Sequence, residues 1–373
     1  MRQSRVDDSR MIGECAFLAA RLALALIVAT VSGVADAGAS TCRLIKIAEF
    51  PVRLVRNKLI IDGAINDHKI GIQLDTGAGR SFILRSAADR LGLTRQQVRG
   101  ARMFGVGGET NVESAYVDSF KIGETERKGW RPLVVGERDL GTDVAFLLGE
   151  DFFHQIDVEF DLANGAIRLF QAKDCDGVSL AYWTNIGVGE VGLEPISDAN
   201  PQILLSVQIN GKSVQALLDS GAAMSVLDKR DAARLGVTPD TPGAYRVGTD
   251  GGLGSNLVEY WSGRFQTFAI GNETIRDANI VFADLWHGPR LTDRAFPGSS
   301  VTFKPSMLLG ADFLRAHRVL VAHSQRKLYF TFTGGQVFGP AEPAKHSGAI
   351  KQDAAQGDAK AALTASDNEE GKP

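Results

Sequence analysis

Residues 59–94 read LIIDGAINDHKIGIQLDTGAGRSFILRSAADRLGLT, and residues 203–238 read ILLSVQINGKSVQALLDSGAAMSVLDKRDAARLGVT. Laid over one another at a constant offset of 144 without a gap, they agree at 12 of 36 positions, so the chain contains a duplicated unit. In each copy a run of β-forming residues meets Asn66-Asp67 or Asn210-Gly211, dipeptides suited to a tight hairpin turn. A second apolar run then leads to Asp75-Thr76-Gly77 or Asp219-Ser220-Gly221. The stretch that follows, rich in Ala, Arg and Leu, predicts a short helix stopped at Leu91-Gly92 or Leu235-Gly236, with the glycine as C-cap. Each copy reads strand, turn, strand, acidic loop, helix.

A second pair of segments repeats further along: FLLGEDFF at 146–153 and MLLGADFL at 307–314. Their offset is 161, so the second copy holds 17 extra residues, an insertion placed around Trp286 to Lys304, where it would cover part of a cleft. Between the two blocks each copy has a glycine-rich turn, Phe104-Gly105-Val106-Gly107-Gly108 and Val247-Gly248-Thr249-Asp250-Gly251-Gly252, at equivalent distances from Asp75 and Asp219. The duplication therefore spans whole lobes, about 43–180 and 201–338, with an interlobe linker at 181–200 that carries Tyr182 and Trp183. The 41 glycines against 12 prolines favour tight turns over long helices, and a mainly β, bilobal chain is expected.

Composition narrows the function. With 44% apolar and 23% charged residues the chain has globular proportions, and a net charge of -3 gives no electrostatic footprint for nucleic acid. At the N-terminus, Arg2, Arg5 and Arg10 precede an apolar run over 22–31, and Ala35-Asp36-Ala37 has the A-x-A form of a cleavage site. Residues 1–37 thus predict a signal peptide, with no stable membrane insertion after cleavage, because the run is shorter than the ~20 residues of a spanning helix. An exported chain that loses Cys15 keeps Cys42 and Cys175, an even pair that is a disulfide candidate in an oxidising compartment. Such a bridge closes a loop of more than a hundred residues, worth about 4 to 5 kcal/mol in the chain-entropy picture. Residues 339–373 offer only Ile350 and Leu363 as large aliphatics, and predict a disordered tail.

The order apolar-apolar-Asp-Thr/Ser-Gly-Ala, glycine-rich hairpin, apolar-apolar-Gly, present twice, resembles the aspartic proteases and in particular the retropepsin-like group. The resemblance covers about residues 50–338 and implies a bilobal acid-protease fold. It implies Asp75 and Asp219 as the catalytic dyad, Thr76 and Ser220 as the hydroxyls that lock the two loops, and Leu147-Leu148-Gly149 and Leu308-Leu309-Gly310 as supporting segments. It also implies a flap over substrate from each hairpin, with Phe104, Gly105, Gly107, Gly108, Gly248, Asp250 and Gly251 as candidates to touch substrate. No tyrosine stands out as a flap residue, although Tyr245 lies close to its hairpin.

The chemistry gives a reason for the duplication. Carboxylates about 3 Å apart cannot both ionise; they share one proton, so that one side chain activates water while the other protonates the scissile carbonyl oxygen. Gly77 and Gly221 suit a loop in which backbone must approach closely. Ala78 and Ala222 stand where pepsin-like relatives usually place a hydroxyl; one donor fewer predicts a dyad that titrates higher and works nearer neutral pH. The expected function is exported peptide-bond hydrolysis by a monomer acting on extended polypeptide, with no cofactor and no metal. A non-catalytic exported peptide-binding module with the same cleft is the alternative.

Other motifs are weaker. Gly187-Val188-Gly189-Glu190-Val191-Gly192 fits a dinucleotide fingerprint but meets Pro195 where a helix should begin, and reads as linker. Gly211-Lys212-Ser213 lacks the leading glycine of a phosphate loop and reads as a turn. His68, His154, His287, His317 and His323 show no metal-ligand spacing and read as surface or packing residues.

Overall fold

The computed structural model describes residues 42–141, 144–196, 202–286 and 304–338. Residues 1–37, read above as a signal peptide, the bulk of the insertion at 287–303, His287 and residues 339–373, read as a tail, lie outside the described residues. The chain is mainly β, in two lobes. Within each, strands formed from the two repeated blocks meet edge to edge. In the first lobe Lys58–Ile65 and His68–Leu74 form the hairpin, with Ile65 opposite His68, and its turn residues Asn66 and Asp67 both have positive φ. In the second, Leu204–Ile209 and Lys212–Leu218 pair in the same way around Asn210 and Gly211. The apolar residues on these strands are buried, which fixes their register, because a one-residue slip would turn them to solvent.

The strand that leads to each Asp is then paired with its supporting segment. Phe146–Leu148 runs parallel to His68–Leu74, with Leu148 beside Leu74, and antiparallel to Phe82–Leu84. Met307–Leu309 repeats this arrangement, parallel to Lys212–Leu218 and antiparallel to Val226–Asp228. These three-residue strands are wholly buried apolar runs, as expected of parallel pairing at the centre of a sheet. The predicted helices are short, Arg85–Arg90 and Lys229–Arg234, and each ends beside a left-handed glycine, Gly92 or Gly236.

A six-stranded sheet joins the lobes. Its order runs Arg43–Pro51, Ala166–Lys173, Asp157–Asp161, His317–Ala322, Lys327–Phe332 and Gly189–Gly192. The seam is the antiparallel pairing of Phe160 with Val319 and Val158 with Val321. The segment read as linker therefore also contributes structure: Gly189–Gly192 is the edge strand on Lys327–Phe332, and Leu193 bridges to Leu205. Short length and glycine content hid this strand from a pattern reading. Across the seam Glu159 takes hydrogen bonds from Arg168, Arg318 and the Tyr182 hydroxyl, so that its buried charge is fully paired. Cys42 and Cys175 form a disulfide with Cα atoms 4.3 Å apart across 133 residues. Among the described residues no helix is long and apolar enough to cross a membrane.

Candidate active site

The two acidic loops meet at the centre of the molecule. The Thr76 amide donates to Ser220 Oγ at 3.0 Å, and the Ser220 amide donates to Thr76 Oγ1, also at 3.0 Å. Each hydroxyl then donates onward across the interface, Thr76 Oγ1 to the Leu218 carbonyl at 2.6 Å and Ser220 Oγ to the Leu74 carbonyl at 2.9 Å. Both side chains are buried, so these four bonds work in a dry environment where a lost partner is costly. The Asp75 and Asp219 amides are held from behind by the Leu148 and Leu309 carbonyls of the supporting strands, each at 2.9 Å.

This brings the two carboxyls face to face, where they hydrogen-bond to one another. A Cβ added at Gly77 would fall inside the Asp219 carboxyl group, and one at Gly221 inside that of Asp75. The glycines are therefore required by close approach. Asp75 Oδ1 accepts from the Ala78 amide at 3.0 Å; Asp219 Oδ1 accepts from the amides of Gly221 at 2.9 Å and Ala222 at 3.1 Å. Burial and then the neighbouring Asp219 charge push the Asp75 carboxyl up to about 8, against the amides that favour its ionised form. Burial raises Asp219 too, but the Ala222 and Gly221 amides and a hydrogen bond from Asp75 oppose it. Burial raises both carboxyls, and they titrate as one coupled pair.

Behind each loop lies a second, matched bracket that sequence reading passed over. Ser81 Oγ donates to Asp151 at 2.6 Å and accepts from the Gly149 amide at 2.9 Å. Ser225, Asp312 and Gly310 repeat the same two distances. The identity of this serine and aspartate in both copies was the available signal.

Each lobe also carries a glycine-rich hairpin. The first, Arg95–Gly105 with Gly108–Ala115, turns at Val106-Gly107, and Phe104, Gly105 and Gly108 sit in its arms. The second places its turn differently from the expectation. Val247, Gly248 and Asp250 belong to the strand Tyr245–Asp250, paired with Val258–Ile270, and the bend follows over residues 251–257. The reason is local chemistry: residues 251–256 concentrate Gly, Ser and Asn, whereas a bulge after Arg246 absorbs Gly248 into the ladder. The tips touch, since the Gly254 amide donates to the Val106 carbonyl at 3.2 Å and the Asn256 amide to the Gly107 carbonyl at 3.0 Å.

Tyr245 is exposed; the tyrosine within the field of Asp219 is Tyr260, on the return strand of the second hairpin. Burial, followed by the charges of Asp250 and Asp219, pushes its hydroxyl up to about 12. Tyr260 packs with Val106, Ala222, Met224 and Trp286 against an apolar cluster of the second lobe. Its place in the repeat, one strand beyond the turn, could have identified it. Arg138 reaches from the first lobe to Asp250 at 3.7 Å.

Comparison with known proteins bears on both lobes. Residues 205–313 match the aspartyl protease family, and residues 61–155 match the gag-polyprotein aspartyl protease family. No curated protein matches the chain. Among solved structures, an aspartic proteinase from Irpex lacteus is similar over 78% of this chain and 98% of its own, at 11% identity and a TM-score of 0.41. The chain carries two aspartyl protease domains of the retropepsin-like kind, one in each lobe.

Proposed function

We propose that the chain is an exported aspartic endopeptidase in which Asp75 and Asp219 share one proton and hydrolyse peptide bonds without a covalent intermediate. The observation that carries this reading is the reciprocal Thr76/Ser220 exchange, which presses the two carboxyls together. Ionised Asp219 takes a proton from a water held between the two side chains, and the water oxygen attacks the scissile carbon. Asp75 gives its proton to the carbonyl oxygen, so charge does not accumulate there. On collapse of the tetrahedral intermediate the proton held by Asp219 passes to the leaving nitrogen, and the hydroxyl proton returns to Asp75. One chain supplies both halves of the pair, which supports action as a monomer. The paired Cys42 and Cys175, with the N-terminal apolar run, support export to an oxidising compartment.

Substrate would lie extended beneath the two hairpins, its backbone pairing with their strands, and entry requires their tips to part. The single-proton state exists between the ionisation of Asp219 and that of Asp75, so activity should span mildly acidic to neutral pH and fall as Asp75 deprotonates near 8. The test is cleavage of a mixed peptide library. Turnover blocked by pepstatin-type transition-state analogues, and reduced about 1,000-fold or more by Asp75→Asn and by Asp219→Asn, is expected. Peptide binding with no cleavage by the unaltered chain would favour a binding module instead.

A further inference from the structure

Lys58 stands at the seam of the two lobes in a position fixed from both sides. It follows the turn Arg56-Asn57, whose residues both have positive φ. The Asn57 amide group donates to the Ala223 carbonyl at 2.5 Å, just past the second acidic loop, and its oxygen accepts from Arg315 Nη1 at 2.8 Å. The turn is thereby clamped to the second lobe, which holds the Lys58 backbone beside the segment that follows Asp219.

The Lys58 side chain is half-buried, yet among the described residues it has neither an ion pair nor a hydrogen bond. Two carboxyls act on it electrostatically, Asp250 of the second hairpin and Asp75 of the dyad. Neither is free to neutralise it. Asp250 faces Arg138, whose guanidinium also fills the space over Gly251. Asp75 is committed to Asp219. The first lobe thus brings two cations, Lys58 and Arg138, to one exposed flap carboxylate, and leaves a partly desolvated ammonium without a direct partner. The duplication sharpens the point, since the equivalent position in the second copy is the neutral Gln202. At that position only the first copy carries a positive charge.

Resting on the proteolytic reading above, we infer that Lys58 selects substrates with an Asp or Glu side chain at one position on the Asp75 side of the scissile bond. An extended chain alternates its side chains, so a single residue of the substrate can point at Lys58 while its neighbours point away. An ammonium offers three donors to a carboxylate, and a charge-assisted bond in a half-buried site is stronger than one in water. An amide of the same shape, Gln or Asn, gains much less. The preferred substrate class is therefore an extended polypeptide with one acidic side chain beside the cleaved bond.

A peptide series in which each position around the cleaved bond is exchanged between Glu and Gln tests this. At one position the unaltered enzyme should cleave the Glu peptide about tenfold better in kcat/KM, with the difference mainly in KM. Lys58→Gln and Lys58→Met, the latter keeping the aliphatic stem, should each bring that ratio close to one, and Lys58→Glu should turn the preference toward Lys. Equal cleavage of Glu and Gln peptides at every position, or a ratio that survives both neutral variants, would overturn the inference. Should the unaltered chain cleave nothing, that result counts against the proteolytic reading, and the same Glu/Gln ratio is then measured as peptide binding. Equal binding would overturn the role of Lys58 by itself.

Discussion

In the first lobe the residue after the supporting glycine is Glu150; in the second it is Ala311. The backbone bonds they make are the same. Both amides donate to the carbonyl of the alanine that follows the acidic loop, Glu150 to Ala78 and Ala311 to Ala222, each at 2.8 Å. The Glu150 carboxyl is fully buried 3.8 Å from His323, and among the described residues neither its oxygens nor the ring nitrogens of His323 have a hydrogen-bond partner. Burial, with the charges of Asp151 and Asp75, raises Glu150, while burial and then His154 push His323 down to about 4. Gln73 is a second difference: its amide reaches across to the Gly221 carbonyl at 3.2 Å, where the other lobe has Leu217. The backbone scaffold is thus duplicated where both carboxyls need the same support, and the side chains diverge where one lobe can differ from its twin. The divergence concentrates on the side of Asp75.

Breaking the part that is alike should cost most. Thr76→Val removes the bond to the Leu218 carbonyl and leaves the buried Ser220 amide without an acceptor, an expected loss of about 2 to 4 kcal/mol in denaturant unfolding. Ser220→Ala should cost a similar amount, and a large inequality between them would show that the exchange is less symmetric than it looks.

The parts that differ should show as pH dependence. His323 has a lowered pKa in the fold, so its contribution is intact above 6.5, where the unfolded residue is also neutral, and is lost as pH falls toward 4. His323→Leu should therefore be least favourable relative to the parent at neutral pH and gain on it by about 2 to 3 kcal/mol at pH 4. Asp75 has the opposite sense. Its pKa is raised, so its contribution is present below about 4 and is lost as pH rises through about 8. Asp75→Asn should be the more thermostable form at pH 8 and lose that advantage at acidic pH, by differential scanning calorimetry.

Two smaller effects refine the comparison. Gln73→Leu, which copies the second lobe, gives up the bond to Gly221 but also removes a buried oxygen that has no partner, so the change should stay within about 1 kcal/mol. The helix Lys229–Arg234 is capped by Asp228, which accepts from the Arg230 amide, whereas its twin begins at Leu84 without a side-chain cap. Asp228→Ala should cost about 1 kcal/mol.

What could be read from the sequence is what repeats locally. Hairpin dipeptides, apolar runs before each Asp, helix-stopping glycines and the two apolar-apolar-Gly blocks all act over a few residues, and each appears twice. What could not be read depends on approach between distant segments. Tyr260 owes its interest to the field of Asp219, Glu150 to a histidine in a turn between two strands of the joining sheet, and Lys58 to a turn clamped on Ala223, relations that no period or turn rule encodes. The second hairpin was misplaced by a few residues because glycine marks both a bulge and a bend.

The central claim is one proton held between Asp75 and Asp219. Direct titration of the two side-chain carboxyls, by carbon-detected NMR of the unaltered chain, tests it. The account predicts two well-separated macroscopic steps, the upper one near 8 and abolished in Asp75→Asn together with Asp219→Asn. A single shared transition in the usual carboxylate range near 4, with both groups ionised at neutral pH, would contradict it.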